Sequence, residues 1–337
     1  MKVVGSGFRL RTRCWLLLPA LLLVTGPTGA QTVQSISAAS PDLGNVVSGA
    51  SGDTVFRSAA DSGIITRVSG AGARLGTGSS RALVTIACGS NACRNKNLNI
   101  RVGSIGSPSG RAGPLTNFTV SAGTARITTA ASGTSPVSFT IEGIRDGATA
   151  TFWVGADFPI RGNDSAASTG PASAGFYVYV AVSPNTPTSG STSGLAVARV
   201  FRPINVTNAT GLVFGTIVRP SSGAGSVSID AATGQRTVAG AGSIGAASPN
   251  PTRAAYVVTG EGGQAFSLSI PQSFQMSGPG SPLTVHLTST AGGAQTLSSA
   301  LGSAGSFSFG VGGSFSTASH TAIGAYQGTY SVTVQYN

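Results

Sequence analysis

Tyr330, Val332, Val334 and Tyr336 alternate with Ser331, Thr333 and Gln335 near the end of the sequence, the period-two pattern of an extended strand with one buried face. Burying those four side chains is worth roughly 1.5 to 3 kcal/mol each. This stretch must therefore find a sheet to lie in. The rest of the chain repeats the pattern in short alternating runs broken by Gly, Ser, Asn and Pro clusters. Glycine takes 49 of 337 positions, about twice the usual share. Charged residues make up 9%, and beyond residue 30 no stretch carries the 3.6-residue apolar period of a helix. An all-β chain of sandwich type follows, and its length suits two sandwiches better than one.

The first thirty residues have the organisation of an export leader. Lys2, Arg9, Arg11 and Arg13 precede the apolar run from Cys14 to Val24, and Thr28, Gly29 and Ala30 offer small residues to a signal peptidase. The run is shorter than the roughly 20 residues a membrane-spanning helix needs. Cleavage after Ala30 is expected, with no membrane span in the mature chain. It removes four basic residues and no acidic ones, so the formal charge falls from +11 to +7. It also leaves two cysteines, Cys88 and Cys93, which an oxidising compartment would join as a disulfide around a six-residue loop. Such a loop contributes only about 2 kcal/mol by chain entropy, enough to pin a turn. No histidine lies near the pair, which speaks against a metal site.

Ser183 to Gly194 holds Ser, Thr, Pro, Gly and Asn and no apolar side chain, so it predicts an exposed connector. The expected division is a leader over 1–30, a first sandwich over 31–182, the connector over 183–194 and a second sandwich over 195–337. Six short runs recur in the same order on both sides of it. Leu43-Gly-Asn-Val-Val47 parallels Phe214-Gly-Thr-Ile-Val218, and Arg81-Ala-Leu-Val-Thr85 parallels Arg253-Ala-Ala-Tyr-Val257. Leu98 to Val102 answers Phe266 to Ile270, and Leu115 to Thr119 answers Leu283 to Leu287. Val154 to Phe158 answers Val311 to Phe315, and Phe176 to Val180 answers the closing strand. The pattern is that of a divergent tandem duplication.

Two resemblances rest on these residues. The terminal strand, with Tyr336 next to last and Gly324 fourteenth from the end, resembles the C-terminal motif of bacterial chaperone–usher pilus subunits. The stretch from Leu195 to Asn337, through Leu212 to Val218, Gly225 to Ile229 and Val258 to Gly262, is similar to a family of secreted bacterial domains of unknown function with pilin or spore-coat relatives. The resemblance implies two tandem Ig-like, pilin-like sandwiches after a cleaved signal peptide, exported to the periplasm and then to the cell surface. It also implies a periplasmic chaperone and usher and other surface subunits as partners. Gly324, Tyr330, Val332, Val334 and Tyr336 would form the subunit or chaperone interface. The segment from Gln31 to Ser40 departs from the pattern, since Val33 and Ile36 fall on opposite faces. A chain with so poor a donor strand accepts a strand more readily than it gives one, which fits a terminal, tip-like subunit.

No constellation for catalysis stands out, and no cofactor is implied. The mature chain has only His286 and His320, in separate contexts, and its acidic residues are dispersed. Glu261 sits among glycines and Asp230 precedes Ala-Ala-Thr-Gly, both turn compositions. Gly240 to Gly245 fits the G-x-G-x-x-G string but leads to Pro249 and Pro251 rather than to a helix. The surplus charge is almost all arginine and is spread along the chain, without the interleaved aromatics of a nucleic-acid surface. It would attract an anionic surface polysaccharide. Two non-enzymatic readings stay open: a structural or adhesive surface protein assembled by strand exchange, and a free-standing secreted binding module for a glycan or surface polymer.

Overall fold

The computed structural model describes residues 35–89, 93–163, 167–182, 189–240, 243–244 and 249–337. The expected leader and its cleavage site lie outside them. The described chain is all strand, turn and loop, arranged as two sandwiches in tandem.

The first sandwich uses thirteen strands: β1 Ser35–Ala38, β2 Asp42–Val47, β3 Thr54–Ser58, β4 Ile65–Ser69, β5 Ala73–Arg74, β6 Ala82–Ala87, β7 Leu98–Ser109, β8 Thr116–Ala122, β9 Ile127–Ser132, β10 Val137–Ile141, β11 Thr149–Ile160, β12 Gly170–Ala181 and β13 Ser189–Phe201. One sheet runs β1-β6-β11-β3-β4, with β8 also on β11, and the other runs β5-β2-β13-β12-β7-β10-β9. Strict alternation builds them. On β12, Ala172, Ala174, Phe176, Val178 and Val180 are buried, while Ser173, Tyr177 and Tyr179 face outward. The inward residues of both sheets form one continuous core that runs from Leu43 to Val200. Cys88 and Cys93 are disulfide-bonded at its edge, as the spacing predicted.

The second sandwich comprises β14 Asn205–Thr210, β15 Ile217–Val218, β16 Ala224–Ile229, β17 Arg236–Gly240, β18 Ser243–Ile244, β19 Ala254–Glu261, β20 Ala265–Ser269, β21 Ser273–Met276, β22 Leu283–Ser289, β23 Gly293–Thr296, β24 Ala304–Ala318 and β25 Thr333–Tyr336. Its larger sheet runs β14-β19-β24-β16-β17, with β22 also on β24. This repeats the order β1-β6-β11-β3-β4 with β8 on β11, and adds β21 on the far side of β22. The facing side runs β23-β20-β25, with β15-β18 as a separate pair, matching β10-β7-β12 and β2-β5.

The repeat extends to atomic detail. Gly155 on β11 has its Cα so close to the carbonyl of Ser58 that a Cβ would lie 2.1 Å from that oxygen. Gly312 on β24 approaches the carbonyl of Ile229 in the same way, again at 2.1 Å. Only glycine permits either contact. Arg81 donates to the carbonyls of Ala60 and Asp61, and Arg253 to those of Ala231 and Ala232.

The expected division needs correction at the connector. Residues 183–188 lie outside the described residues. From Ser189 onward the segment is β13, which pairs with the whole of β12 and runs parallel to β2. Its hydroxyl-rich start needs no apolar side chain, because backbone pairing alone holds it on β12, and Gly194 is required where Phe176 fills the space a Cβ would take. Leu195 to Phe201 therefore belong to the first sandwich, and the second begins after Arg202.

Candidate functional site

Tyr330, Val332, Val334 and Tyr336 point inward, and Ser331, Thr333 and Gln335 outward, the faces that the alternation assigns. Residues Thr333 to Tyr336 pair with β20 in register, Phe266 opposite Tyr336 and Leu268 opposite Val334. This matches the pairing of Val180 with Ile100 in the first half. The strand is shorter than the repeat suggests. Further back, Gln327 bonds instead to Ser277, next to β21, and Gly324 packs against Pro279 with a positive φ of 147° that favours glycine.

Apart from β9, which has no counterpart beside β23, and β21, which is added on β22, the two halves differ at one strand position. β12 is bonded on both edges, to β7 and to β13, whereas β25 is bonded to β20 alone among the described residues. β2 is bonded to β5 and β13, whereas β15 is bonded to β18 alone among the described residues. The position that β13 fills between β12 and β2 has no occupant between β25 and β15 among the described residues. Burial changes accordingly. Phe176, Val178, Val180 and Val46 are at most 1% exposed, while their counterparts Tyr330, Val332, Val334 and Ile217 are all partly exposed and Val218 is 48% exposed. The core of the second half also divides into two clusters, one around Phe266 and Val311 and one around Val285 and Phe315. Tyr330 stands over Phe274 and beside Tyr256, at ring-centre distances of 5.2 and 6.5 Å. Its hydroxyl is buried beside that of Tyr256 and makes no well-formed hydrogen bond among the described residues, a condition that buried polar groups rarely tolerate.

Tyr336 has a different environment. Its hydroxyl donates to the carbonyl of Arg202 at 2.9 Å and accepts from the backbone N–H of Glu261 at 2.6 Å, and its ring lies 6.0 Å from that of Phe201. Burial pushes its phenol above the ordinary value. Glu261, placed in a turn by its glycine neighbours, does precede one, yet its side chain is fully buried and forms an ion pair with Arg202 at 2.9 Å. The same carboxylate accepts from the backbone N–H of Arg202 and of Gly302. Tyr336 thus fastens the end of the chain to the junction of the two sandwiches. Of the other residues expected at an interface, Tyr330, Val332 and Val334 lie on or just before β25, whose second edge is unbonded among the described residues, and Gly324 lies apart from it against Pro279. Nothing in the local sequence marks the Arg202–Glu261 pair, since the partners lie far apart in sequence and meet only at the junction.

The other candidates stay apart. His286 is exposed on β22 and His320 is exposed beyond β24. No group of three His, Cys, Asp or Glu side chains able to hold a metal is found among the described residues. Gly240 ends β17 and Ser243 and Ile244 form β18, so the described part of the glycine string lies on strands. Asp230 caps its turn through the backbone N–H groups of Ala232 and Thr233.

The fold and its repeated strand order define an all-β protein of two β-sandwiches in tandem. Residues 204–336 match the model of a domain of unknown function, DUF4402, and the matched span starts one residue before β14. No curated protein matches the chain.

Proposed function

We propose that this chain is a non-enzymatic, exported structural or adhesive protein of the cell surface, whose second sandwich is completed by a strand from another polypeptide. The observation that carries the reading is the vacant strand position between β25 and β15, set against its filled equivalent in the first half. An open edge exposes a row of backbone N–H and C=O groups ready to pair. β13 indicates the form of the occupant: antiparallel to β25, parallel to β15, with small inward residues like Gly194, Ala196 and Ala198. A periplasmic chaperone would hold this edge first, and a neighbouring surface subunit would hold it after passage through an usher. Few apolar residues alternate ahead of β1, so the chain would receive a strand rather than donate one, as a terminal subunit does.

The test is a graft in the full mature chain: a copy of residues 182–201 appended after Asn337. If the position is vacant, the copy folds onto β25, raises the thermal midpoint of the second sandwich and slows amide exchange at Tyr330 and Val332. Unchanged exchange and melting, together with an ungrafted chain that is monomeric and cooperative in both halves, would establish the free-standing binding module instead.

A further inference from the structure

The outer face of the first half's seven-stranded sheet holds a hollow of about 580 Å³ that spans β13, β12, β7, β10 and β9. Register places its residues in rows. Tyr177 lies opposite Gly103, and in the next row Tyr179 lies opposite Arg101, which lies opposite Ser138. A further row brings Asn99 beside Thr140. The Tyr177 ring covers Gly103 so closely that a Cβ there would lie 2.9 Å from its edge. The ring is therefore held down on the sheet rather than standing off it, with one face toward the backbone and the other toward the hollow. Arg101 is exposed and makes no ion pair among the described residues, and the seven strands carry a single acid, Asp42 on β2. Neither the strand position at β25 nor the junction uses any of these groups.

We propose that this hollow binds a carboxylated glycan. A tyrosine face held parallel to a sheet offers an apolar platform to the C–H face of a pyranose ring while its hydroxyl stays wet. Asn99, Ser138 and Thr140 offer short, mixed donors and acceptors for sugar hydroxyls at fixed spacing. Arg101, with its planar fork and no internal acid to satisfy it, selects a carboxylate. The hollow is open along the sheet, so it takes several residues of an extended chain rather than one enclosed sugar. This inference is independent of the proposed strand exchange, because every group in it lies on the self-contained first half.

Calorimetric titration of the full mature chain with tetragalacturonate and sialyllactose tests it, with maltotetraose as the neutral reference. Saturable binding of at least one acidic probe is expected, about tenfold tighter than the neutral one, as a charge-assisted pair implies. Arg101→Gln should remove that preference and Arg101→Lys restore part of it, while Tyr177→Ala weakens acidic and neutral sugars alike. Both side chains face outward, so the thermal midpoint should hold steady in each variant. No saturable binding of either acidic probe overturns the proposal, as does binding that survives both Arg101→Gln and Tyr177→Ala. Concentration-dependent dimerisation abolished by Ile105→Ser would instead assign the face to a protein contact, which also overturns it.

Discussion

The hydroxyl of Tyr336 serves two backbone groups at once, the N–H of Glu261 and the C=O of Arg202. Tyr336→Phe keeps the ring against Phe201 but leaves both groups unmet in a buried setting, at about 1 to 3 kcal/mol. Urea unfolding should show that loss, and a midpoint equal to that of the parent protein would mean that water replaces the hydroxyl. Glu261→Ala is expected to be worse, about 3 to 5 kcal/mol, because it strands the largely buried Arg202 guanidinium without its counter-charge. Asp230 behaves differently because it is exposed. Its carboxylate accepts from the backbone and side chain of Thr233, which lowers its pKa below the usual value. A group lowered in the folded state stabilises above its unfolded pKa of about 3.9 and loses that contribution as pH falls through the folded value. Stability differences between the parent and Asp230→Asn should therefore be constant from pH 5 to 7 and shrink only below about pH 4, as thermal melts across that range would show.

At the scale of the strand, the same alternating sequence has different energetics on β12 and on β25. Val178 is fully buried under β13, whereas Val332 lies at an edge without that cover. Val178→Ala should destabilise by about 2 to 3 kcal/mol, from lost transfer energy plus a cavity, and Val332→Ala by about 1 kcal/mol or less. Equal losses by chemical denaturation would mean that β25 is covered after all. The inward face of these strands was legible because one face is apolar and the other polar, and the repeat was legible because six runs kept their order. β13 was not. Leu195, Ala196, Val197, Ala198 and Val200 are apolar on both faces, so no period separates a strand from a loop, and the Ser-Gly run before them has the composition of a linker. Its place came from pairing along β12, a contact that composition does not encode. The Tyr177 platform was hidden for a similar reason. Tyr177 and Tyr179 read as the polar face of a strand, and only register sets them over Gly103 and beside Arg101.

At the scale of the molecule, the corrected boundary changes what a cut should do. An exposed connector over 183–194 would separate two finished sandwiches when cleaved. The observed β13 instead crosses back into the first half along twelve residue pairs with β12 and then, through Arg202, enters the junction with the second half. A nick between Val182 and Ser189 severs a connection between paired strands and leaves the backbone ladder standing. Such a ladder in a buried sheet, with Ala196, Ala198 and Val200 in the core, outweighs the entropy gained by freeing two ends, since closing a short loop contributes only a few kcal/mol. A protease site inserted between those two residues should therefore yield two bands on a denaturing gel and a single species of parental mass on native gel filtration. The cut chain should separate only in denaturant, at a lower midpoint than the intact chain. Two species separating under native conditions would show that β13 is weakly held. The first half would then be no better closed than the second, and the contrast that supports strand acceptance at β25 would be lost.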